Sequence, residues 1–378
     1  MGGPQVIVLG AGPAGLAAAA EAHRNGLAVE VLEATGSIGA SWRRHYDRLH
    51  LHTTRRLSGL PGGPIPARLG RWIARDDFVA YLEAYAGQLG VPVRFGVRAE
   101  RIDRGSGEWR VATTQGLLEG SQVVVATGYN HTPRVPGWTG RDGFKGQLVH
   151  SSSYRNPAPY RGRSVLVVGA GNSGAEIAAD LVEGGAAKVW ISIQTPPNIV
   201  RRDAPGGVAP QHLGILMRPL PRAVVDPLSR AVQRVMIGDL SRFGIPPPEK
   251  GVATRAAEGQ IPLIDVGFLA QLRAGKIEVV PAVTAFDGAE IVCGQRRVKA
   301  DAVIAATGYS QGLEPLVGHL DVLDARGRPA RHAPLAATPG LYFIGYSNPI
   351  SGNLREISHD ARRLGRVLAA TAPAISVR

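Results

Sequence analysis

The sequence predicts an α/β chain built from two Rossmann-like dinucleotide-binding folds, the second inserted into the first. Three observations carry this. "VIVLGAGPAGLAAAAEA" at Val6 to Ala22 recurs as "VLVVGAGNSGAEIAADL" at Val165 to Leu181, and self-similarity of this kind fixes architecture before local detail does. "VVVATGYN" at Val123 to Asn130 recurs as "AVIAATGYS" at Ala302 to Ser310. The chain then returns through "GLYFIGYSNPISG" and a final helix, Leu354 to Ala370, which makes the order nested. The expected domains are 1–160 with 300–378, and 161–299 carrying an insertion at 203–262.

A length of 378 residues suits two domains. Apolar residues make up 44% and charged residues 19%, a balance that buries a normal core. The net charge of +13 is nearly all arginine, with only five lysines. No basic tract interleaves with aromatics, so bound dinucleotides account for the charge better than nucleic acid does. Cys293 is the only cysteine. One thiol makes no internal disulfide, no CxxC redox pair and no four-thiolate zinc site, which removes flavin disulfide reductases as a class. No metal site is expected. The apolar start lacks a basic n-region and has glycine spacing instead, so it reads as a nucleotide turn and not a signal peptide. No run of about 18 apolar residues without glycine occurs, so no membrane-spanning segment is expected and the chain reads as cytoplasmic.

In the first repeat a four-residue strand leads into Gly10, Gly12 and Gly15, with Pro13 and Ala14 opening the helix. The first glycine makes the turn, the second lets backbone approach a pyrophosphate, and the third lets helix and strand pack closely. The helix start then offers N–H groups and a positive dipole end to phosphate. Glu33 ends the next strand, placed as a ribose-hydroxyl acceptor. Residues 77–90 read as an amphipathic helix stopped by a glycine. "VPVRFGVRAERIDR" and "EWRVATTQG" read as antiparallel strands.

The second repeat has Gly169, Gly171 and Gly174, with Asn172 and Ser173 at the turn. Its next strand ends in Gln194 and Thr195 in place of an acid. A carboxylate there selects NAD and an arginine pairs with the 2′-phosphate of NADP. Glutamine does neither strongly, although Arg201 and Arg202 follow, so NADPH and NADH both stay open. The proline-rich 203–262 stretch, with its helical piece "DPLSRAVQRVMIGDLSRF", is expected to cover the substrate entrance or to be purely structural.

Two dinucleotide folds without redox cysteines suggest hydride passing from a nicotinamide to a flavin. The connector "FKGQLVHSSSY" then becomes specific: it resembles the FxGxxxHxxxY identifying sequence of flavin-containing monooxygenases, with Phe144, Gly146, His150 and Tyr154 in register. Baeyer–Villiger enzymes usually carry tryptophan at the last position, so Tyr154 favours the N- and S-oxygenating and plant-auxin branches. "YDRLHLH", "VLVVGAGNSG", "PLIDVGFLAQLRAGKIEVV" and "ATGY" are similar to the YUCCA-type indole-3-pyruvate monooxygenases and their bacterial relatives.

The resemblance implies FAD on the first fold, contacted by the three glycines, Glu33, Trp42, Arg43, Val97 and the Thr127–Gly128 turn, with Gly345 from the returning chain. It implies NADPH or NADH on the second, at its glycine turn, Gln194 and the Thr307–Gly308 turn. NADPH-dependent members have arginine at the Gln194 position. Counting from Tyr46 places His52 where many relatives have an asparagine beside the flavin. His52 is the one candidate catalytic side chain, either bonding the oxygenated flavin or substrate or packing under the ring.

The implied reaction is reduction of FAD by NAD(P)H, addition of O2 at flavin carbon 4a, and transfer of one oxygen atom to a small molecule: an amine, a sulfide, a 2-oxo acid or a ketone. The alternative is a pyridine-nucleotide–flavin reductase serving a carrier protein. His150 reads as a positional device, with proton transfer as the lesser reading. Partners are the substrate and O2; a homodimer stays open.

Overall fold

A computed structural model of the chain describes residues 4–203, 209–217, 219–347 and 349–372. The chain packs as two units: residues 1–43, 53–132 and 309–378 form one, and residues 44–52 with 133–308 form the other.

The first unit holds a five-stranded parallel sheet. The Val6–Leu9 strand lies at its centre, flanked by Gln122–Val125 and Val29–Glu33. Leu341–Phe343 and Val93–Phe95 form the outer strands. All four residues of the central strand are buried, as continuous apolar runs in parallel sheets are. Pro13–Arg24 follows as a helix, and the final helix, Asn353–Thr371, packs against it. The Arg75–Gln88 helix matches the expected one to within two residues.

The expected long strand from residue 91 to 104 is broken. Val93–Phe95 joins the parallel sheet, Gly96 turns at φ +71°, and Ala99–Arg104 starts a separate antiparallel meander with Trp109–Thr113 and Gly116–Gly120. Only a glycine adopts that positive φ without strain, and the break sits on it.

The second unit repeats the plan. Its parallel sheet runs Ile277–Val280, Lys188–Ser192, Ser164–Val168, Ala302–Ala305 and Gln147–His150. The outermost strand is the connector. It takes the place that Leu341–Phe343 holds in the first sheet, beside the strand that ends in Ala-Thr-Gly-Tyr. Residues 133–160, 44–52 and 300–308, grouped with the first fold on sequence, therefore pack in the second unit. Backbone pairing draws the connector strand there and buried side chains draw the 44–52 strap.

Candidate active site

Gly10 has φ +105°, and a Cβ on it would lie 2.6 Å from the Ala126 carbonyl oxygen. Gly169 has φ +109°, with the Ala306 carbonyl oxygen at 2.5 Å. This explains why each glycine turn travels with its own Ala-Thr-Gly-Tyr phrase: that strand pairs beside the turn's strand, and its end crosses the first glycine where no side chain fits. The third glycines are tighter still, since a Cβ on Gly15 or Gly174 would fall 1.8 or 1.9 Å from the carbonyl oxygen of Gly10 or Gly169.

Gly12 and Gly171 behave differently. Each is the N-cap of its helix, no side chain caps either helix, and a Cβ there would meet nothing within 4 Å. Each turn thus presents helix N–H groups to open space, the arrangement a phosphate requires. The residues fit a dinucleotide in both units.

Around the first turn, Glu33 accepts from the Ala11 N–H at 2.9 Å and from the Thr35 N–H and hydroxyl at 2.9 and 2.8 Å. These bonds hold the carboxylate at the strand end and leave it further acceptor capacity. The Val97 N–H already donates to the Glu33 carbonyl at 3.0 Å. The Trp42 ring meets Phe78 edge-on at 4.7 Å, and Arg43 donates to the Ile38 carbonyl at 3.2 Å and pairs with Glu83.

The Thr127 N–H and hydroxyl both bond the Tyr346 phenol oxygen, at 3.1 and 2.7 Å. Tyr346 is buried, and burial pushes its phenol up to about 12. Sequence reasoning passed over it, although the quoted "GYSNPISG" contains it. Next to it Gly345 has φ +85°, with the Ala14 side chain 2.7 Å from where a Cβ would stand, so the returning chain presses onto the first helix turn. Gly128 has φ +105° and open space.

In the second unit, Asn172 accepts through its side-chain oxygen from the Ile264 N–H at 2.6 Å, which ties the turn to the Leu263–Asp265 strand. Gln194 is exposed past the end of Lys188–Ser192. Thr307 donates to the Arg134 carbonyl.

The connector now has a physical reading. Phe144 packs in the apolar cluster with Phe286, at 5.1 Å between rings. Gly146 lies under that ring, where a Cβ would meet Phe144 at 2.5 Å and the Asp301 carbonyl at 2.7 Å. His150 donates from Nε2 to the Gly308 carbonyl at 3.0 Å and accepts at Nδ1 from the Ser152 N–H at 3.1 Å. Acceptance at Nδ1 requires the neutral ring, and burial holds its pKa below the ordinary histidine value. That is a fixing device for the Thr307–Gly308 turn.

Tyr154 is buried and donates to Asp180 at 2.7 Å. Tyr154→Phe should cost about 2 kcal/mol of stability, the usual worth of a bond to a charged group. Urea unfolding checks this, and an unchanged midpoint would remove Tyr154 from the scaffold.

The 44–52 strap brings Tyr46 and His52 together with Arg48, Glu176 and Asp180, a grouping with no mark in the sequence. Tyr46 donates to Glu176 at 2.8 Å, and the Ser173 hydroxyl also bonds that phenol oxygen. Arg48 lies 3.9 Å from Glu176 and pairs with Asp180 and Glu183 at 3.2 and 2.9 Å. His52 Nε2 stands 3.9 Å from Glu176, while its buried Nδ1 has no partner. Burial pushes the Glu176 carboxyl up to about 7, and burial with Arg202 pulls His52 down to about 4. The two are therefore not an ion pair: His52 is neutral at any pH where Glu176 is charged. The strap grips the helix that starts at Asn172, one turn behind its uncapped N-terminus.

The family model described as "Pyridine nucleotide-disulphide oxidoreductase" matches residues 7–213. The chain is 38% identical over 354 residues to indole-3-pyruvate monooxygenase YUCCA1 of Oryza sativa subsp. japonica, covering 91% of this chain and 87% of that protein. It is 34% identical to YUCCA4 of the same plant over 96% and 86%. The structure of a flavin-containing monooxygenase from Stenotrophomonas maltophilia superposes with a TM-score of 0.74 at 25% identity, over 98% and 99% of the two chains. The chain belongs to the flavin monooxygenase family.

A flavin monooxygenase is an oxidoreductase. The chain's only thiol, Cys293, is fully buried, and burial pushes it up to about 11. Such a thiol supplies no attacking thiolate near neutral pH.

Proposed function

We propose that this flavin monooxygenase holds FAD on the first unit and NAD(P)H on the second, and places one atom of O2 on a small 2-oxo acid of the indole-3-pyruvate class. FAD supplies the oxygen chemistry once reduced. The observation that carries the reading is the pair of open, uncapped glycine turns in a chain without an available thiol. The substrate class rests on the relatives, which are indole-3-pyruvate monooxygenases along nearly the whole chain. We take the enzyme as cytoplasmic.

Each residue has a defined task. The N–H groups of Ala14 and Gly15 and those of Asn172–Gly174 bind pyrophosphate, and Glu33 takes a ribose hydroxyl. Trp42, Arg43, Val97 and Gly345 border the flavin nucleotide, with Thr127 and Gly128 held by Tyr346. Thr307 and Gly308 border the nicotinamide nucleotide, held by His150. His52, neutral and with an unpartnered ring nitrogen, offers a hydrogen bond without a charge.

The test is turnover under labelled oxygen. Indole-3-pyruvate should gain one labelled atom per NAD(P)H consumed. If the reducing equivalents instead appear in an added carrier protein, the enzyme is a reductase; if they all appear as hydrogen peroxide, indole-3-pyruvate is not its substrate. Gln194→Arg should raise the NADPH-to-NADH ratio of kcat/KM about tenfold, through a charge-assisted bond to the 2′-phosphate. An unchanged ratio would take Gln194 away from that position.

A further inference from the structure

Among the described residues, twelve large apolar side chains are exposed, and eight of them fall within residues 213–236. This concentration lies in the insertion, and all but Leu220 are on the helices Pro210–Met217 and Arg222–Met236. On the second helix, Val224, Leu228, Val232 and Val235 follow at spacings of four, four and three. They therefore form one stripe, and Val235 is 80% exposed.

The helix is held with that stripe outward. Val225 is buried on its inner side. Asp226, the helix's only acid, turns inward to accept from the Ala253 and Thr254 N–H groups at 2.8 and 3.3 Å. Gln233 accepts from the Ile199 N–H at 3.4 Å. The charged side chains left exposed on this helix are Arg222, Arg230 and Arg234, all positive. An exposed apolar stripe beside arginines, on a helix whose one acid is turned in, has the character of an interfacial helix.

We propose that the outer face of the Arg222–Met236 helix docks on an anionic lipid bilayer. This goes beyond the oxygenation reading and does not depend on it. Charge complementarity selects the occupant: a bilayer of acidic lipid satisfies stripe and arginines together, whereas a second copy would set arginine against arginine on a chain already at +13. The contact is peripheral, because no described helix is long and apolar enough to cross a membrane.

The full-length holoenzyme should pellet with vesicles of phosphatidylcholine and phosphatidylglycerol at least tenfold more tightly than with phosphatidylcholine alone, and raised salt should release it. Val235→Asp and the double variant Arg222→Gln, Arg234→Gln should each lose that binding, with flavin absorbance and melting temperature unchanged. Equal pelleting with both vesicles, no pelleting, or pelleting that survives both variants overturns the proposal. So does a wild-type dimer in sedimentation equilibrium that Val235→Asp splits while neither protein binds vesicles; the face would then join two copies.

Discussion

Gly174→Ala should leave the flavin bound and slow its reduction by NADH or NADPH at least about 100-fold, the usual cost of misplacing a reactant by about an ångström. The added methyl would stand 1.9 Å from the Gly169 carbonyl oxygen and 3.2 Å from the Ala306 side chain. Both obstacles belong to the sheet side of the same turn, so the helix itself must back away, taking its uncapped N–H groups with it. The mirror substitution, Gly15→Ala, meets the Gly10 carbonyl at 1.8 Å and should instead yield protein that purifies without flavin. Flavin absorbance after purification, then anaerobic mixing with NADH or with dithionite, separates the two cases. Gly174→Ala protein reduced by NADH at the normal rate would disqualify the second turn as the nicotinamide site.

Glu176→Gln should make the protein more stable at pH 8 while changing little at pH 5. The carboxyl lies at about 7 in the folded chain, against an ordinary value of 4.5. The folded state thus binds this proton more tightly than the unfolded state does. Its contribution is complete below the ordinary value and is lost as pH rises through about 7. That separation is worth up to about 3 kcal/mol. A glutamine keeps an oxygen for the Tyr46 phenol and carries no charge. His52 works in the opposite direction: depressed to about 4, its contribution is full above its ordinary 6.5 and fades as pH falls. Urea midpoints at the two pH values, for wild type and variant, test this; parallel pH dependence would count against a protonated Glu176.

The sequence was legible wherever chemistry is local. A strand, three glycines and a helix state their own fold within about fifteen residues, and both turns lie where the repeats place them. Glu33 was readable for the same reason, one strand further on. The strap was not. Tyr46 and Glu176 are 130 positions apart, and neither shows a periodicity that points to the other. Tyr46 carried only a family likeness, and Glu176 passed as an ordinary helical acid. Tyr346 was hidden the same way, its partner Thr127 lying 219 positions earlier. The break at Gly96 was visible in principle, since a glycine inside a strand pattern marks a turn or bulge. Val93–Phe95 and Ala99–Arg104 look like one strand in the sequence because their alternation continues through it.

The placement of the connector strand also decides how the second unit could be made portable. A fragment of residues 161–299 looks natural from the repeats, but it omits both Ala302–Ala305 and Gln147–His150. Ser164–Val168, central in the intact sheet, would then become a bare edge, a template for pairing between chains. A fragment of residues 133–308 restores both strands and removes that hazard. Even so, its Glu176 would lack the Tyr46 phenol. A transplantable module therefore has to bring a nine-residue piece, 44–52, from a distant stretch of the chain.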